Sequence, residues 1–95
     1  MDKLAIRKEA HQTVEDAFKA LEQVENKMAS ASQSLKDKHQ EQMERLKQQR
    51  EDLKQQLTNL EESSAEKWDE TKDSFSKSAD SFKQGFSEIA SVFGA

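Results

Sequence analysis

Trp68, Phe75, Phe82 and Ile89 stand seven residues apart in a chain of 95 residues that contains no proline. No other feature constrains the fold as much. A seven-residue apolar repeat keeps one seam of side chains facing a neighbouring helix while both helices wind around each other. Charged residues make up 36% of the chain. They are mostly Glu, Lys and Arg set among Gln and Ala, which favour helix. A regular apolar stripe in that background separates this chain from disordered chains of similar charge. Few residues are both large and apolar, so stability rests on burying one narrow stripe.

The stripe runs in three phases. Between residues 10 and 35, Val14, Leu21, Met28 and Leu35 take heptad position a, while Ala10, Ala17, Val24 and Ala31 take d. Leu4, His11 and Phe18 form a flanking row that widens the face. From residue 39 to 64 the seam continues one residue out of phase. Met43, Arg50, Leu57 and Ser64 now occupy a, and His39, Leu46, Leu53 and Leu60 occupy d. This face is narrow and suits a two-stranded coiled coil. From residue 65 to 93 the phase slips again. Trp68, Phe75, Phe82 and Ile89 take d; Ala65, Lys72, Ala79, Phe86 and Phe93 take a. A one-residue slip either relaxes the supercoil or marks a turn.

Two places suit a turn. Ser63 and Glu66 have the spacing of a capping box at a new helix start. The composition also changes there, toward Ser, Lys, Asp and Phe. Ser30, Ser32 and Ser34, interleaved with Ala29, Ala31 and Gln33, form the second place. Neither contains Gly or Pro. Two signals coincide at the first, so the expected fold is all-α with two helices in one domain over residues 1–95. A long helix runs from about residue 3 to 61 and a turn covers about 62–64. A shorter helix over about 65–92 folds back as an antiparallel hairpin. The lengths would be roughly 90 Å and roughly 40 Å. The short helix then covers half of the long one. Val14, Phe18, Leu21, Val24 and Met28 are left needing a partner, most simply a second copy in a coiled-coil dimer. The competing fold is a monomeric three-helix bundle, with turns near Ser32 and Ser63. The expected core or interface comprises those five residues with Leu35, Leu46, Arg50, Leu53, Leu57, Leu60, Trp68, Phe75, Phe82, Phe86 and Ile89. In the hairpin, Phe75 falls near Leu53 and Phe82 near Leu46. Phe86 and Phe93 reach toward His39 and Leu35.

Met43-x-x-Leu46, Arg50-Glu51, Leu53, Leu57 and Leu60 lead into Ser63-Ser64-Ala65-Glu66-Lys67-Trp68 and then Phe75, Phe82, Phe86 and Phe93. This pattern resembles a family of small bacterial coiled-coil proteins of unknown function, often described as stress-response proteins. The resemblance covers residues 39–93. Family members often have Gly where this chain has Ser64, and a second Trp where it has Phe. The resemblance implies an all-helical fold and a link with stress, with no enzymatic chemistry to carry over.

The remaining residues narrow the function classes. The net charge of −4 argues against nucleic acid, which is bound through a basic surface. It also argues against attraction to anionic lipid. No cysteine is present, which excludes disulfides and thiolate chemistry. No apolar run approaches a membrane span or a signal-peptide core, so the expected location is cytoplasmic. His11 and Glu15 have the i,i+4 spacing of two metal ligands, but a structural zinc site wants about four. No metal or cofactor is expected, and His39 reads as a polar residue in a loose d layer. Carboxylates sit on solvent faces. No phosphate loop, nucleophile elbow or metalloprotease motif is present, so no enzyme is expected. Arg50 has two readings, a polar layer that sets register or partner choice and a side chain snorkelling from the seam edge. Phe75, Ala79, Phe82, Phe86, Ile89 and Phe93 lie opposite a Ser-rich face, as in helices that sense lipid packing defects. Their strict heptad spacing favours core instead. The expected function is a non-enzymatic coiled-coil module for structure or protein interaction, acting as a homo-oligomer or with a protein partner. A peripheral lipid-binding amphipathic protein is the second reading.

Overall fold

The computed structural model describes residues 2–93 and forms three helices: α1 (Lys3–Ala29), α2 (Gln33–Glu62) and α3 (Trp68–Phe93). They pack side by side into a rod 50 × 19 × 16 Å. The expected helix over 3–61 is therefore broken at residues 30–32, and the three-helix alternative describes the chain. Ser32 makes the break. Its backbone is extended (φ −64°, ψ 154°) and its side chain caps α2, with Oγ accepting from the Leu35 N–H at 3.3 Å. The N–H groups of Ser30 and Ala31 donate back to the carbonyls of Lys27 and Met28, at 3.2 and 3.0 Å. Alanine favours helix here, but its preference is worth a few tenths of a kcal/mol per residue, about 0.7 at most. Turning the chain buries a whole stripe, and each large side chain taken from water contributes about 1.5–3 kcal/mol. Burial decides.

The second turn lies where expected but is longer and built differently. Helix α3 begins at Trp68, not near residue 65. Ser63 is no N-cap; it ends α2, and its Oγ donates to the Leu60 carbonyl at 2.9 Å. The capping box with Glu66 does not form. Instead the Lys67 N–H donates to the Ser64 carbonyl at 3.2 Å, and the Thr71 N–H to the Lys67 carbonyl at 2.9 Å. Ala65 falls in this turn, exposed and off the seam.

The core is one cluster. Ala10, Val14, Ala17, Leu21 and Val24 from α1 meet Met43, Leu46, Leu53, Leu57 and Leu60 from α2. Trp68, Phe75, Ala79, Phe82, Ile89 and Ala90 from α3 complete it. The stripe that seemed to need a second copy is thus covered by the chain itself. Helices α2 and α3 pack most closely, and α1 lies more lightly on both. Gly85 lies against Leu46 of α2 with little room for a side chain. A Cβ there would stand 3.1 Å from Leu46 Cδ2. Leu46 therefore meets Gly85, three residues beyond the Phe82 expected opposite it. The antiparallel register is also marked by Ser78 Oγ donating to Asp52 Oδ2 at 2.9 Å. At the far end the His39 and Phe93 rings meet edge to face at 5.7 Å, as the sequence suggested.

Candidate functional site

Two polar arrangements interrupt the apolar seams. The first is built on Arg50. The a position carries its side chain toward α1, where Val14 and Leu21 line the same seam. Its Nη1 lies 3.5 Å from Glu25 Oε1 on α1, and its Nε lies 3.5 Å from Glu51 Oε1 on its own helix. The Phe18 ring lies 5.1 Å from its Cζ. The side chain is 23% exposed, yet Nε is sealed from solvent and makes no well-aligned hydrogen bond. The Glu51 carboxylate therefore compensates charge at Nε without a directed bond. Such a layer contributes little net stability, because desolvation offsets much of the attraction. Opposite Arg50, α1 presents both an acid, Glu25, and an aromatic ring, Phe18.

The second arrangement closes the end of the rod at the α2–α3 turn. Trp68 is 5% exposed. The Lys3 Nζ and the Arg7 guanidinium lie 5.4 and 5.1 Å from its ring centroid. Arg7 Nε also donates to the Leu60 carbonyl at 3.4 Å. This contact meets a local need. Helix α2 has no basic residue in its last turn, and it ends in Glu61 and Glu62, against the helix dipole. A cation from α1 supplies the missing charge. One residue thus ties all three helices together.

Along the third side runs an open groove between α1 and α3. One stretch, of about 290 Å³, is floored by Ala17, Ala20, Leu53, Ala79, Phe82 and Phe86. Half-buried Lys72 lines the adjoining stretch with Phe75. His11 Nε2 lies 3.0 Å from Glu15 Oε1, both exposed. Among the described residues no group of three His, Cys, Asp or Glu side chains is placed to hold a metal. Among the described residues no helix is long and apolar enough to cross a membrane.

Of the residues singled out in the sequence, Val14, Leu21, Val24, Leu46, Leu53, Leu57, Leu60, Trp68, Phe75, Phe82 and Ile89 are buried together. Phe18, Met28 and Phe86 are half-buried against that core. Leu35 and Arg50 are half-buried as well. Sequence reasoning missed Arg7 and Glu25. A signal for Arg7 existed: it stands seven residues before Val14, at the same heptad position. Glu25 follows the d residue Val24, at the flank where coiled coils place pairing charges. Comparison with protein-family models, with curated proteins and with solved structures finds no match to the chain.

Proposed function

We propose that the chain is a non-enzymatic helical module that acts as a structural or protein-interaction element. One observation carries this reading. Among the described residues, Leu4 and Val92 are the only exposed large apolar side chains, and no polar or charged residue is buried. The inside is spent on holding three helices together, and the outside is mainly Gln, Glu, Lys and Ser, interrupted by the groove between α1 and α3. Its grooves are open and lined by side chains of mixed character. That suits docking through a helix face better than enclosure of a small substrate. A homo-oligomer or a protein partner and a cytoplasmic setting belong to the same proposal. The link with stress rests on the resemblance of residues 39–93 to the bacterial family named above.

The rival reading, α3 as a lipid-binding helix, requires the rod to open, because Phe75, Phe82 and Ile89 face the core. Flotation with vesicles separates the two. The interaction module melts cooperatively without lipid and stays at the bottom of the gradient with zwitterionic and with anionic vesicles. Flotation with a shifted Trp68 emission would transfer the assignment to the lipid surface.

A further inference from the structure

We propose that two copies of this chain exchange α1, forming a dimer in which each α1 packs on α2 and α3 of the other copy. The hinge is residues 30–32. It is short, and its neighbourhood reads Ala29-Ser30-Ala31-Ser32, with no Gly or Pro. Ser30 already keeps right-handed helical backbone (φ −90°, ψ −5°). Ser32, at ψ 154°, is a residue that must rotate to let α1 run on into α2. The Ser32 cap on the Leu35 N–H is the one side-chain contact given up in that rotation, and the two alanines favour the straight helix.

The apolar stripe also passes through the hinge. Val14, Leu21, Met28 and Leu35 keep strict seven-residue spacing across it, and Met43 resumes the row one residue late. A straightened helix therefore presents one continuous face. Two such helices, antiparallel, place α1 of one copy on α2 of the other. Each α3 stays on its own α2, the helix against which it packs most closely. Every α1 contact is then remade between copies: Arg50 with Glu25 and Phe18, Arg7 with Leu60 and Trp68. Exchange of an identical element costs no contact, only the encounter of two chains. The groove that α1 leaves is thus filled by the one occupant whose fit the structure already displays. This proposal rests on the homo-oligomer part of the proposed function and gives it a form, and it stands whether or not a further protein partner exists.

The full chain is unfolded and refolded at high concentration, then examined by light scattering and X-ray scattering. Two variants bias the hinge. Ser30→Ala with Ser32→Ala removes the cap and extends the alanine run. The expected result is a dimer dissociation constant lowered roughly tenfold or more, the ratio that loss of one cap in each hinge represents. The dimer's long dimension approaches about 90 Å, the length of a helix spanning both segments, against 50 Å for the single rod. Ala31→Gly with an added glycine shifts the balance to monomer. A second pair reads the exchange itself. Glu25→Arg and Arg50→Glu each set like charges together within one chain. Refolded together, they form a heterodimer in which both charge pairs are restored; refolded apart, they do not. A side-by-side dimer leaves the mismatch inside each chain and gains nothing from mixing. The proposal is overturned if the alanine variant stays a 50 Å monomer at every concentration, or if the mixed variants behave as the sum of the two.

Discussion

The two turns of this rod are held by different means. At residues 30–32 the fastening is local: one serine cap on α2 and two backbone hydrogen bonds back into α1. At residues 63–67 it is tertiary. The Leu60 carbonyl receives Ser63 Oγ and, from another helix, Arg7 Nε. The Trp68 ring lies beneath two cations from α1. The bonds at 30–32 themselves yield to rotation of their own backbone, although in a single chain that rotation also lifts α1 from α2 and α3. A tertiary clasp opens only when neighbouring helices separate, so it shares the stability of the whole fold. The end at 63–67 is thus the anchor, and the end at 30–32 is the hinge.

The largest expected effect tests the anchor. Trp68→Ala removes a ring that is 5% exposed and should cost about 4 kcal/mol, read by urea unfolding followed by circular dichroism. Trp68 is the only tryptophan, so wild-type emission reports the same site. A red, water-like maximum in the native protein would remove the clasp from the argument. Next comes Arg7→Met, which keeps the stem but not the charge. It should cost about 1.5 kcal/mol, for one long hydrogen bond and one cation–π contact. In a double-mutant cycle with Trp68→Phe the two should couple by about 0.5–1 kcal/mol. Strict additivity would mean that the guanidinium only covers the ring without attracting it.

The same contrast explains what the sequence could disclose. Heptad spacing depends only on which face is buried, and it identified the seams of all three helices, from Ala10 to Val24 through Met43 to Ile89. Where the chain folds back depends on a total over many residues. Around Ser32 local preference is nearly balanced between helix and cap. The deciding term is the burial of Val14, Leu21 and Val24 by α2 and α3, which no local window contains. Around Ser63 the signal has the opposite polarity to a capping box: the serine ends one helix and does not start the next. Its hydroxyl has two possible uses, and the chain's path selects one. At Leu46 the structure brings Gly85 into contact, a pairing that heptad position alone does not specify. Arg50 was legible as a polar seam residue. Its acid was not, since Glu25 and Arg50 become neighbours only after the turn at 30–32 forms.

Two smaller effects sharpen the comparison of the turns. Ser32→Ala should cost about 1 kcal/mol, the usual value of a lost N-cap, measured at concentrations low enough to keep the chain monomeric. Helix α2 has no acidic residue in its first turn to share the work. The Leu35 N–H then loses its only side-chain partner.

Ser63→Ala should cost less, no more than about 0.5 kcal/mol. The hydroxyl's bond to Leu60 is the shorter one, 2.9 Å against 3.3 Å at Ser32, so bond length alone predicts the opposite order. Redundancy reverses it. The Leu60 carbonyl keeps two other donors, the Ser63 N–H and Arg7 Nε, both at 3.4 Å. Removing the hydroxyl leaves no orphaned acceptor, and an unmade bond is costly mainly when its partner is left dry and unsatisfied. The contrast also predicts a dependence. With Arg7→Met already in place, the same Ser63→Ala change should cost about 1 kcal/mol, because the carbonyl then relies on one long backbone bond. Equal costs in both backgrounds would show that Arg7 does not share this carbonyl, and that the turn at 63–67 is held as locally as the one at 30–32.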